Sequence, residues 1–354
     1  MGALDVTGPH TITVTGTCNE AVNIGNRERV TIDGGGTTVI NATGTGASAI
    51  NVGGSKNINI SGVELTGGVF GLRVARGSEV VASDLRSHDN QFAGVRVVDH
   101  SQLRLSSATL DHNGAAGLSV DSSVVALDGA MTIANNTGTG IAGGAARISL
   151  SDAAGANSIS NNGGAGIGLA DGSRGNFVGN TTIQGNGGAG AQLIHTSTLN
   201  LFGATVDANG DTGINVQETS HGEISNVVVS NNGFSTTGGG VRAGENSDVF
   251  LDGGVGITGN TGFGAQAELG GVLSSLGGNV ITGNTLDGVR VRRMGLAHFF
   301  APDVISGNGG DALVCDKNSL VVGDLTGISK VKCSNIEKDT SPPAVPLASH
   351  RHAP

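Results

Sequence analysis

Apolar and polar residues alternate along this chain in short triplets, among them Leu72-Arg73-Val74, Val95-Arg96-Val97, Leu118-Ser119-Val120 and Val289-Arg290-Val291, each opened by a glycine. A period of two turns the outer residues of each triplet inward and its middle residue outward, the pattern of a half-buried strand. A second alternating run follows: Leu103-Arg104-Leu105, Val125-Ala126-Leu127, Ile148-Ser149-Leu150 and Leu199-Asn200-Leu201. A third apolar position (Leu110, Ile133, Ile159, Ile183, Val206) stands three residues before an asparagine. The segments between them are rich in Gly, Asn, Ser and Asp, so each unit holds three short strands and no helix.

The unit recurs. Its glycine stands at positions 71, 94, 117, 140, 166, 190, 213, 240, 264 and 288, with Ala312 last, a spacing of 23 to 27 residues. A fixed period of that size marks a solenoid. With coils stacked at strand spacing, the pattern predicts an all-β parallel β-helix of three sheets, about 12 to 13 coils of ~24 residues and roughly 60 Å long. The recurring asparagine (Asn90, Asn113, Asn136, Asn162, Asn186, Asn209, Asn232, Asn260, Asn284, Asn308) falls in one turn, where stacked amides can form a ladder. Asparagine also tolerates the left-handed conformation of a sharp turn. The glycine four residues on serves a positive φ or a close approach. Between Asn232 and Gly240 the spacing stretches, so Phe234-Ser235-Thr236-Thr237 reads as an insertion bulging from a turn.

Composition narrows the partners. The chain has 354 residues, 63 of them glycine, without the G-X-Y period of collagen. A formal charge of −10 with no basic stripe argues against nucleic acid. No apolar run is long enough to span a membrane. The start, Met1-Gly2-Ala3-Leu4-Asp5, lacks the basic and apolar regions of a signal peptide, and the expectation is a leader already removed, with the protein outside the cell or on its surface. Residues 1–10 are the expected cap or starting segment, 11–338 the β-helix, and 339–354 a tail holding Pro342, Pro343, Pro346 and Pro354. Cys315 occupies the inward position of Val97 and Val291, and Cys333 follows it by 18 residues. Either the two close the last coil as a disulfide, in an oxidising compartment, or they are buried small side chains.

The repeat Asn-x-x-x-Gly-Val-x-Val, together with Thr11-Ile12-Thr13-Val14 and Arg29-Val30-Thr31-Ile32-Asp33-Gly34-Gly35-Gly36, resembles the right-handed parallel β-helix superfamily, the pectin-lyase-like proteins, over about Thr11 to Glu337. The resemblance implies a right-handed coil. Enzymes of that superfamily act on polysaccharides in a groove beside the first sheet, with catalytic groups projecting from neighbouring coils. Their signatures are mostly missing here. In place of the Gly-His-Gly element of polygalacturonase-type enzymes stands Ser220-His221-Gly222. Val97-Val98-Asp99-His100 lacks the tryptophan of pectate-lyase-type sites. Alginate-epimerase-type sites use Asp-Pro-His and a tyrosine, and this chain has neither Tyr nor Trp. The phenylalanines Phe70, Phe177, Phe202, Phe250 and Phe263 read as core, with Phe299-Phe300 leaving one ring outside.

Candidate chemistry therefore comes from columns one coil apart. Two residues after each glycine stand Arg73, Arg96, Ser119, Ala142, Gly168, Gln192, Asn215, Arg242, Gln266 and Arg290. Gln192, Asn215 and Arg242 are the expected polysaccharide contacts, because guanidinium pairs bidentately with carboxylate or sulfate. Five residues after the glycine, Asp171, His195, Glu218 and Glu245 fall on consecutive coils as an acidic strip with one imidazole. Two carboxylates one coil apart match the ~5–5.5 Å separation of retaining glycosidases. Oxygen-rich strips also hold Ca²⁺, while no zinc-type spacing is present. The expectation is a secreted, non-catalytic scaffold or binding module contacting acidic or neutral polysaccharide. The competing reading is a polysaccharide lyase, glycoside hydrolase or epimerase using the strip.

Overall fold

The computed structural model describes residues 9–151, 156–233 and 238–337. Among them every regular element is a β-strand, wound into a parallel solenoid of about 13 turns. One strand per coil builds a 14-stranded parallel sheet running from Val22–Gly25 to Val331–Lys332, hereafter the first sheet. The other strands form a single 23-stranded sheet rather than two. In the early coils the second and third strands run on as one, as in Glu79–His88, Gln102–Asp111 and Val124–Ala134. Each bends at one left-handed residue, Asp84 (φ 50°), Ser107 (φ 51°) or Gly129 (φ 72°). A single such residue turns the corner, and the ladder resumes directly after it, at Ala108 paired with Leu85 below and Met131 above. From Arg147–Ser151 and Asn157–Ser160 onward the strands separate. The prism thus has three faces.

Stacking is in register. Leu118 pairs with Val95 below and Ile141 above, and the next coils continue Ile167, Ala191 and Ile214. The inward columns are buried from Val30 and Ile32 to Ile305 and Val321, making one continuous core along the axis. Phe177 and Phe299 lie within it and Phe263 is buried outside it, whereas Phe70, Phe202 and Phe250, expected as core, are half-buried, and Phe300 is exposed.

The asparagines form the ladder. Each Nδ2 donates to the next Oδ1 at 2.9–3.0 Å, from Asn90 to Asn308. The second Nδ2 proton goes to a carbonyl oxygen inside the coil, such as Ile159 for Asn186. Each Oδ1 accepts a backbone N–H as well, as when Asn162 donates to Asn186 at 3.1 Å. The left-handed residue of this turn is the one before the asparagine, as at Asp89, His112, Asn135 and Asn161. The repeating glycine is needed for close approach, not for its φ. A Cβ on Gly190 would sit 2.3 Å from Val206 Cγ1 and 2.6 Å from the Gly213 oxygen.

A serine ladder accompanies it in the turn after the first sheet. The backbone N–H groups of Ser55, Ser78 and Ser101 donate to the hydroxyls of Ser78, Ser101 and Ser123 at 3.1–3.2 Å. The pattern returns from Ser197 to Ser220 and Ser247. All of these serines are buried. The Phe234–Thr237 insertion, residues 1–8 and the proline-bearing tail from 338 lie outside the described residues.

Candidate functional site

The expected acidic strip lies on the turn that leaves the first sheet, just ahead of the serine ladder. Its residues are left-handed in coil after coil: Asp171 (φ 56°), His195 (φ 52°), Glu218 (φ 55°) and Glu245 (φ 55°). In all four coils the following residue is left-handed too, Gly172 (φ 73°), Thr196 (φ 60°), Thr219 (φ 59°) and Asn246 (φ 58°). For β-branched threonine that conformation is a real outlier. Two local bonds offset it. Each threonine hydroxyl donates back to the preceding carbonyl at 2.6 Å. Each threonine N–H donates to the next coil, to Glu218 O and Glu245 O, at 3.0 Å.

His195 is wedged between two carboxylates. Its Nδ1 is 3.1 Å from Asp171 Oδ1, and its Nε2 is 2.7 Å from Glu218 Oε2. Glu218 Oε2 is closed to solvent and makes no hydrogen bond beyond this close approach. His195 and Asp171 themselves stay more than half exposed. Glu245 accepts from Gln217 Nε2 at 3.3 Å. The four expected residues therefore do form one column, but the imidazole fills the space between Asp171 and Glu218.

On the outer face of the first sheet, Ser119, Ala142 and Gly168 floor a shallow trough of about 380 Å³ bordered by Arg96, Asp121, Asp171 and Gln192. Small residues on consecutive coils make the floor. Gln192 faces this trough, while Asn215 and Arg242 belong to a different cluster. Arg242 donates to Glu268 Oε1 at 2.7 Å and to Asn215 Oδ1 at 3.3 Å, and Asn215 Nδ2 donates to Gln217 at 3.0 Å. A polar chain therefore links Glu245 through Gln217, Asn215 and Arg242 to Glu268.

Glu268 is the hub. It is 3% exposed and also meets Arg292 at 2.9 Å and Arg293 at 3.7 Å. Burial pushes its carboxyl up, but Arg242 and Arg292 outweigh this and hold it below the ordinary glutamate range. Beside it, Gln266 is buried with its Oε1 unpartnered. Glu268, Gln217 and Gln266 were not singled out from the sequence. The signal for two of them is the column four residues after each glycine, where Asp121, Gln217, Glu268 and Arg292 interrupt a run of small or apolar residues.

Cys315 and Cys333 form a disulfide, their Cα atoms 4.8 Å apart. Among the described residues no three His, Cys, Asp or Glu side chains are grouped to hold a metal ion. Among the described residues no helix is long and apolar enough to cross a membrane.

The family described as right handed beta helix region matches residues 10–155 and 124–286. Two solved structures are similar. The A-module of the mannuronan C-5 epimerase AlgE4 from Azotobacter vinelandii shares 13% identity over 93% of this chain and 88% of that one, with a TM-score of 0.49. The A-module of the mannuronan C-5 epimerase AlgE6 from the same organism shares 15% identity over 94% and 90%, with a TM-score of 0.42. No curated protein matches the chain.

Proposed function

We propose a binding role for this chain, which belongs to the right-handed β-helix family: it is a non-catalytic scaffold, outside the cell or on its surface, that contacts polysaccharide along the trough of the first sheet. The observation that carries this reading is the occupancy of the strip. His195 sits between Asp171 and Glu218, and Glu245 accepts from Gln217, so each carboxylate of the strip is engaged by a neighbouring side chain rather than held open for a glycosidic bond. Arg242 is committed to Glu268 and Asn215. The trough is open and floored by Ser119, Ala142 and Gly168, which suits a chain lying along the rod. The Cys315–Cys333 disulfide supports an oxidising compartment.

The test is incubation with a panel of acidic and neutral polysaccharides. Retention on one or more glycans is expected, with no new reducing ends and no unsaturated product, and Glu218→Gln should leave affinity unchanged. A product that disappears in both His195→Gln and Glu218→Gln would assign the strip to catalysis instead. A tenfold loss of affinity in Glu218→Gln would place the contact on the strip rather than in the trough. Binding to no glycan would refute the role outright.

A further inference from the structure

The second strands of the middle coils carry a polar patch on a different face from the first sheet. Register stacks Arg147 under Arg174 and Arg174 under Thr198, while Ser149, Asn176 and Asn200 stack beside them. These six side chains point outward and border a shallow depression of about 570 Å³. None of them makes a side-chain hydrogen bond or ion pair among the described residues. Among the other arginines, Arg86, Arg96, Arg104, Arg242, Arg290 and Arg292 each have a carboxylate within 4 Å, whereas Arg73 donates to Asn51 instead.

Two like charges on neighbouring strands, about 4.8 Å apart, repel each other, and cross-strand pairs of this kind are destabilising. In a chain of net charge −10, carboxylates that could neutralise them are plentiful. Two carboxylates of the same sheet have other partners: Asp128 takes Arg104 at 2.7 Å and Ser151 at 2.7 Å, and Asp248 takes His221. Above the patch His221 rests on the half-buried ring of Phe250, centroids 5.7 Å apart. Glu223, one coil above Asn200, puts a negative charge at the upper edge.

The geometry points to a second binding surface: the Arg147–Arg174 face takes a linear oligosaccharide bearing carboxylate or sulfate groups, its charges on the two guanidiniums and its hydroxyls on Asn176, Thr198 and Asn200. Unpartnered guanidiniums supply bidentate donors for an oxyanion. The amides and the hydroxyl both donate and accept, which fits the hydroxyls of a sugar. A strip several coils long along the rod suits an extended chain rather than a compact ligand. This surface stands independently of the trough.

The test uses isothermal titration of the full chain with a sulfated oligosaccharide, an oligouronate and an uncharged oligosaccharide, at low and moderate salt. The charged ligands should bind, more weakly as salt rises, and any binding of the uncharged one should be insensitive to R147Q/R174Q. The double substitution R147Q/R174Q should cut affinity at least tenfold with unchanged circular dichroism and melting temperature no lower than the parent. Gln192→Ala alters only the trough and should leave the salt-sensitive component that R147Q/R174Q removes, so failure of either surface is seen separately. A sulfate-only or uronate-only response identifies the group while supporting the site. The proposal is overturned if no charged oligosaccharide binds, if R147Q/R174Q binds like the parent, or if single-stranded DNA binds better than either glycan through the same arginines.

Discussion

Replacing Asn186 by alanine should cost the solenoid more than any surface change, because it breaks a rung in mid-ladder. The amide of Asn186 accepts from both the backbone N–H and the side-chain amide of Asn162, at 3.1 and 2.9 Å. It donates to Asn209 and to the Ile159 carbonyl, at 2.9 and 3.1 Å. Asn162 and Asn209 are both about as buried as Asn186, at 0–1% exposure, so water cannot stand in for the lost partner. Two donors of Asn162 are left orphaned at about 1–3 kcal/mol each, a loss of about 2–6 kcal/mol in total. Asn308→Ala makes the control: it deletes the last rung, which is half-exposed, so water can reach Asn284 and the loss should be no more than about 1–2 kcal/mol. Solenoid coils need not unfold together, so native-state amide exchange followed residue by residue is the better assay, alongside urea denaturation. Protection should fall first at the Gly163 and Gly187 amides, which cross the same turn to Asn136 and Asn162. A loss below about 1 kcal/mol, or one equal to that of Asn308→Ala, would refute the ladder as a main support of the fold.

Two further outcomes test local physics. Asp248 raises the pKa of His221 above its ordinary value, against a smaller opposing effect of burial. With the folded pKa above the unfolded one, this pair stabilises fully below about pH 6.5 and the contribution is lost as pH rises through the folded value. The melting temperature should therefore be higher near pH 5.5 than near pH 8.5, and His221→Gln should shrink the difference; an NMR titration placing His221 below its ordinary value would contradict this. Gly190→Ala should lose about 1–3 kcal/mol in chemical denaturation, since the new methyl meets Val206 and the Gly213 carbonyl with no room to yield. Gly25→Ala, where nothing lies within 4 Å, should be near neutral, and equal losses at the two sites would sink the close-approach argument.

What was legible in the chain is what burial repeats. Inward positions such as Leu118, Ile141 and Ile167 must stay apolar in every coil, and Asn186 must recur because an amide is needed to satisfy the amide above and below it. Both signals survive at a fixed period, so architecture and ladder could be read before any coordinate. The serine ladder obeys the same logic but was hidden, because a serine in a turn looks like any turn residue and Ala146, Gly271 and Gly295 interrupt the series. The corner of the second sheet was hidden for another reason: one left-handed residue such as Asp84 or Ser107 bends a strand without a glycine or proline to announce it.

Charge pairing was the least legible feature. Reading down one column aligned Asp171, His195 and Glu218 correctly, yet Arg242 found its partner in Glu268, which lies one coil up and two positions along. Long side chains cross between columns, so a column predicts which backbones are neighbours and not which heads meet. The converse holds for Arg147 and Arg174. They are adjacent in one column of the second strand, and their significance comes from what does not reach across to them. In a solenoid every residue has a sequence neighbour and a neighbour one period away. A charged pair stacked in one column and left without a partner after both are counted is a better guide to a binding surface than the fold it is built on.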